Sequence, residues 1–149
     1  MSQGAAEAYD EGMAAFFVQN LSGEADLVYR LGYGVTHSQS GAESLVMETF
    51  QKLAGELTEV YRMDGIQMRI RVLTRAWEIF NNSSRTYQEE DGEALNFLRN
   101  LPVNECAILL FIDALGLNAS EVAEVMNIEE TEVRLHLAKA RKKLIAHSF

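Results

Sequence analysis

The chain has 149 residues, 48% of them apolar, and a net charge of −9. It is long enough to bury a core and too apolar for disorder, and its one proline favours helices. No apolar run approaches the ~18 residues of a membrane span, the N-terminus shows no signal pattern, and the lone Cys106 excludes an internal disulfide and a cysteine-based zinc cluster. A cytoplasmic protein with no membrane insertion is the expectation.

Residues 5–20 read as a helix with Phe16, Phe17 and Val18 as its apolar cluster. Ser22 is placed to cap a second helix over 24–36, in which Leu27, Val28, Leu31 and Val35 share a face. Gly32 and Gly34 weaken that helix or let another approach closely. After a polar break at 37–41, residues 42–61 carry a long stripe: Leu45, Val46, Thr49, Phe50, Leu53, Leu57 and Val60. A turn at 63–65 precedes a helix over 66–80, with Ile70, Leu73, Trp77 and Phe80 inward and Arg69, Arg71 and Arg75 elsewhere. Trp77, by its spacing with Leu73 and Phe80, reads as core.

The polar cluster 81–84 breaks the pattern. Residues 86–92 form a short acidic linker, dividing the chain into 1–85 and 93–149. Seven extended residues reach at most ~25 Å, a short tether between the two parts. The second half reads as a short helix over 93–100, then a helix over 103–115 with Cys106, Leu109, Leu110 and Ile112 on one side, closed by Gly116. Asn118 stands at an N-cap with Glu121 three residues on, a capping box. Asn127 takes a turn position that needs left-handed backbone. The final helix over 131–145 turns Val133, Leu137, Ala140 and Leu144 to the core. The expected class is all-α: two small helical domains, the second a helix-turn-helix.

Charge is unevenly spread. Residues 65–85 and 131–149 are basic islands in an otherwise acidic chain. A helix-turn-helix with Arg134, Lys139, Arg141 and either Lys142 or Lys143 facing out presents cations to phosphates. His37, His136 and His147 are scattered, and no phosphate-cradling loop or metal-spaced cluster is present, so no catalytic residue, metal site or cofactor is assigned.

The C-terminal segment resembles region 4 of bacterial RNA polymerase sigma factors of the extracytoplasmic-function (ECF) group. The matching pieces are Leu101-Pro102, the apolar helix 107–114, Gly116-Leu117, the run 121–126 and the closing Ala140-Arg141-Lys142-Lys143-Leu144. Upstream, Tyr29-Arg30-Leu31 and residues 42–50 are similar to the family's region 2, making 1–85 region 2-like and 93–149 region 4-like. The resemblance implies that Glu43, Ser44, Met47 and Glu48 meet the core RNA polymerase. It implies that Thr131, Arg134, Leu135, His136, Lys139, Arg141 and Lys142 meet promoter DNA, together with Arg69, Arg71 and Arg75 in the promoter-melting stretch.

The sequence departs from the family in places. Ser44 and Met47 replace an acid and a glutamine. Gln67-Met68-Arg69 stands where an aromatic is usual. Glu129, Glu130 and Glu132 open the recognition helix, where carboxylates suit the helix dipole but repel phosphates. Leu135 is an exposed apolar side chain, better matched to a protein than to a base edge. The leading expectation is an ECF-type sigma factor that binds core polymerase and promoter DNA. The alternative is a sigma-like decoy or adaptor that binds an anti-sigma factor and reads no promoter.

Overall fold

A computed structural model describes residues 21–148, together with Ala15 and Gln19. The remainder of the helix expected over 5–20, Phe16, Phe17 and Val18 included, lies outside the described residues. Among the described residues there are eight α-helices and no strand.

A single 3₁₀ turn, Ser22–Glu24, leads into α1 (Ala25–Thr36). Ser22 lies within that turn, and Glu24 holds the N-cap position of α1 without a side-chain bond. The helix stops at His37, whose backbone is left-handed (φ 59°). Ser38 then caps α2 (Gln39–Ala54), its hydroxyl accepting from Gly41 N–H at 3.2 Å. The break is therefore two residues, shorter than the expected 37–41. Gly32 is where α1 and α2 cross: a Cβ there would stand 2.9 Å from the Ala42 Cα, a backbone atom that cannot give way.

The helix expected over 42–61 is two helices. α2 ends at Gly55, and α3 is the single turn Leu57–Val60. Glycine weakens the helix at the break, and Glu56, at φ −116° and ψ 13°, swings its carboxylate toward arginines of the next element. That element is α4 (Gly65–Asn82), opened by a capping box between Asp64 and Gln67 with bonds of 2.8 and 3.1 Å. Its buried stripe is Met68, Val72, Leu73, Ala76 and Trp77. Ile70 and Phe80, expected inward, are half-buried at the stripe's edge.

Non-helical backbone runs from 83 to 92. Then come α5 (Glu93–Arg99), α6 (Val103–Leu109), a π turn (Leu110–Ala114), α7 (Ala119–Met126) and α8 (Glu130–Ser148). Gly116 takes φ +80° after the π turn, and Asn127 takes φ 54° between α7 and α8. The Asn118–Glu121 capping box is formed, with both bonds under 3 Å. Val133 and Ala140 are buried as expected. Leu144 is not: it is 38% exposed, at the wall of a groove that α8 forms with Phe97 and Leu109.

The two halves share one core. It runs from Leu21, Val28 and Leu31 through Leu73 and Trp77 to Phe111, Val122, Val125 and Val133. The Trp77 and Phe111 rings meet edge-on at 6.3 Å, joining α4 to the π turn. A smaller cluster of Phe97, Leu101, Cys106, Leu109 and Ala140 receives Val35 from α1. Gly34 admits Leu110 so closely that a Cβ would sit 2.4 Å from its Cδ1. The second of the two roles expected for Gly32 and Gly34, close helix approach, is the one the fold uses.

Candidate functional site

Three surfaces carry the residues singled out by the sequence. The first is the outward side of α8. The left-handed turn at Asn127 lets Ile128 N–H reach the Ala123 carbonyl at 3.1 Å and aims the start of α8 away from α7. Thr131, Arg134, Leu135, Lys139 and Lys142 are exposed there, Leu135 at 55%. His136 is half-buried, and its Nδ1 is buried without a hydrogen-bond partner. Arg134 is bound one turn back to Glu130 at 2.7 Å. Arg141 turns inward to Asp113 of the π turn, at 2.6 Å. Lys143 reaches Glu105 of α6 at 2.8 Å, a carboxylate only 3% exposed. Among the described residues Lys139 and Lys142 are in no salt bridge, so the basic island presents fewer open cations than its sequence count suggests.

The second surface is α4. Arg69 pairs with Glu24 at 3.0 Å. Arg71 donates to Glu56 at 2.8 Å and to Glu59 at 2.6 Å. Arg75 grips Glu56 with two nitrogens, at 2.8 and 2.9 Å, and also contacts Glu78. Arg71 and Arg75 are largely covered, with side chains about one-fifth exposed. Apart from Glu78, three residues from Arg75, these partners lie 12 to 45 residues from the arginines, so no local pattern announced them.

Glu56 is the hub of that network. Its carboxyl is held below the ordinary carboxylate range, chiefly by the Arg75 hydrogen bond, which outweighs partial burial, with Arg71 adding to it. A depressed carboxylate contributes stability above its unfolded value and loses it as pH falls through the folded one. Stability should therefore decline on acidification below about pH 4.5, the ordinary value. Glu56→Gln should lower stability at pH 7 by about 1–2 kcal/mol and flatten the acid limb. Urea midpoints measured from pH 7 to pH 3 check both; parallel curves for the two proteins would exclude this role.

The third surface is the edge of α2. Glu43 is exposed, Ser44 half-buried, and Met47 is 63% exposed. Glu48 is occupied by an ion pair with Arg85, the residue that leads into the linker. A further feature has no counterpart among the expected sites. An apolar groove of about 560 Å³ lies between α5, α6 and the end of α8, walled by Phe97, Leu98, Leu109, Leu110 and Leu144. In the sequence Leu144 reads as core, and nothing there signals the groove.

Comparison with known proteins agrees with this geometry. Residues 92–144 match the family profile of sigma-70, region 4. Residues 92–144 are therefore a region 4 domain, and the described residues of the chain form helices and no strand. Two solved structures share the fold of most of the chain. The anti-anti-sigma factor PhyR of Bartonella quintana, crystallised with the anti-sigma factor NepR, is 20% identical with a TM-score of 0.66. That match covers 85% of this chain and 48% of PhyR, so this chain spans about half of PhyR's length. The sigma factor RpoE of the same organism, also in complex with NepR, is 15% identical over 88% of this chain and 95% of its own, with a TM-score of 0.66. No curated protein sequence matches the chain.

Proposed function

We propose that this chain is a sigma-like regulator that acts through a protein partner, an anti-sigma factor, and competes for it with a sigma factor. The observation that carries this reading is the fate of α4. The arginines expected to melt and read promoter DNA are consumed by Glu24, Glu56, Glu59 and Glu78. Its buried stripe is committed to a core shared with the region 4 domain. Phosphates would have to displace carboxylates already held at hydrogen-bond distance, and the acidic chain offers no compensating field. The apolar groove beside α8 and the exposed Leu135 suit the nonpolar side of a partner helix. Both structural neighbours were captured with an anti-sigma factor, in keeping with this reading.

A second reading, an ECF-type sigma factor that binds core RNA polymerase and promoter DNA, is favoured by the open outer side of α8 and the exposed Glu43 and Met47 on α2. The two are separated by a reconstituted competition. Purified chain is added to an anti-sigma factor from the same cell, its cognate sigma factor and core polymerase. The regulator reading expects release of transcription by the cognate sigma factor, and no promoter-dependent transcription from this chain with core polymerase alone. Transcription by this chain alone, or no contact with any anti-sigma factor of its cell, would replace the first reading with the second.

A further inference from the structure

Residues 85–90 do more than connect the two halves. The Glu90 N–H donates to the His37 carbonyl at 2.7 Å. Its carboxylate accepts from the Gln39 N–H, at the N-terminus of α2, and from the Tyr33 hydroxyl at 3.2 Å. The carboxylate thus sits where the helix dipole favours an anion, beside the Ser38 cap. On its other side the same segment holds α5: Arg99 reaches the Glu90 carbonyl at 2.6 Å and the Glu89 carboxylate at 2.6 Å. At its start, Arg85 covers Glu48 on α2. One short stretch therefore ties the α1–α2 corner to the region 4 domain and occupies an acid on the α2 edge.

We propose that residues 85–90 are a releasable clasp: closed, it holds α5 against the α1–α2 corner and masks Glu48, and opening it loosens that corner and frees Glu48, while the shared core stays intact. The contacts fit a device that opens. They are ion pairs and hydrogen bonds at half-exposed side chains, each of modest strength, and they lie outside the shared core. His37 beneath the clasp is buried and its ring nitrogens have no hydrogen-bond partner, the Glu89 carboxylate standing off at 3.7 Å, so this corner is packed without being tightly bonded. That the unmasked α2 edge then serves as a docking surface rests on the functional readings above. The mechanical claim does not.

The protein carries its own reporter. Cys106, the single cysteine, is 3% exposed on α6, and its Sγ donates to the Gly34 carbonyl of α1 at 3.5 Å across the interface. Burial pushes its thiol up to about 12, so alkylation at neutral pH requires this corner, where α1 and α5 cover α6, to open. The test compares N-ethylmaleimide labelling of the wild type, the double variant Glu89→Gln/Glu90→Gln, and Arg99→Gln, which cuts the clasp from its other side. A core variant, Leu57→Ala, serves as a control for global destabilisation, and far-UV circular dichroism establishes that each is folded. Both clasp variants should label at least ten-fold faster than the wild type, and faster than Leu57→Ala when compared at equal urea stability. Labelling that follows global stability alone, or is unchanged, would overturn the clasp. Binding of core polymerase to the wild type and to Arg85→Ala is measured separately. Faster labelling without a gain in binding leaves the clasp standing and removes the docking role of α2.

Discussion

Replacing Trp77 with alanine should cost about 3–5 kcal/mol of stability, the usual range for truncating a buried large aromatic. That is a large share of the roughly 5–15 kcal/mol available to a domain. Trp77 is almost fully buried and stacks at a tilt on Phe80, 5.7 Å away, while its edge-on contact with Phe111 joins the two halves. The loss should therefore not stay in the N-terminal half. Urea unfolding followed by far-UV circular dichroism should remain one transition, moved to a lower midpoint. Cys106, on α6 of the other half, should become accessible over the same range. Two separate transitions, with the C-terminal one unmoved, would show that the halves fold independently and that their shared core contributes little. Circular dichroism is the probe of choice because Trp77 is the only tryptophan.

The second large effect concerns a residue that looks like part of a DNA-binding patch. Lys143→Met should destabilise by about 2–3 kcal/mol. The lysine is half-exposed, but its partner Glu105 is not, and no other hydrogen bond to that carboxylate is formed among the described residues. Removing the cation leaves a charge out of water with nothing to answer it. Adding Glu105→Gln to the same variant should recover most of the loss, since a neutral amide is far cheaper to bury. A cost below about 0.5 kcal/mol, as for an ordinary surface pair, would place water at Glu105 and refute the anchoring role. If the prediction holds, one of the five cations of the C-terminal island anchors α8 to α6, and a DNA-binding assay on this variant reports unfolding as well as contact.

The contrast between what was legible in the sequence and what was not tracks distance along the chain. The Asn118–Glu121 cap, the left-handed Asn127, the buried Cys106 and Trp77 and the exposed Leu135 all depend on residues within a turn or two. The break at Gly55 and the Asp64–Gln67 cap were equally local, and their signals stood in the sequence. A long apolar stripe across 42–61 outweighed the glycine. The arginine partners were a different matter. Glu24, Glu56 and Asp113 lie 45, 19 and 28 residues from the arginines they bind, and only the packing of α4 on α1 and α2 and of α8 on α6 brings them together. A charge count locates cations without showing which of them are already answered.

The π turn at Leu110–Ala114 has a consequence for how this chain can vary. Within it Leu110 points at Gly34, Phe111 at Trp77 and Asp113 at Arg141. Deleting Ile112 would restore α-helical spacing and swing every side chain after the deletion by about 100°, detaching Asp113 from Arg141 and re-aiming the chain that leads into α7. Side-chain identity within the turn is open to conservative change. Its residue number is not.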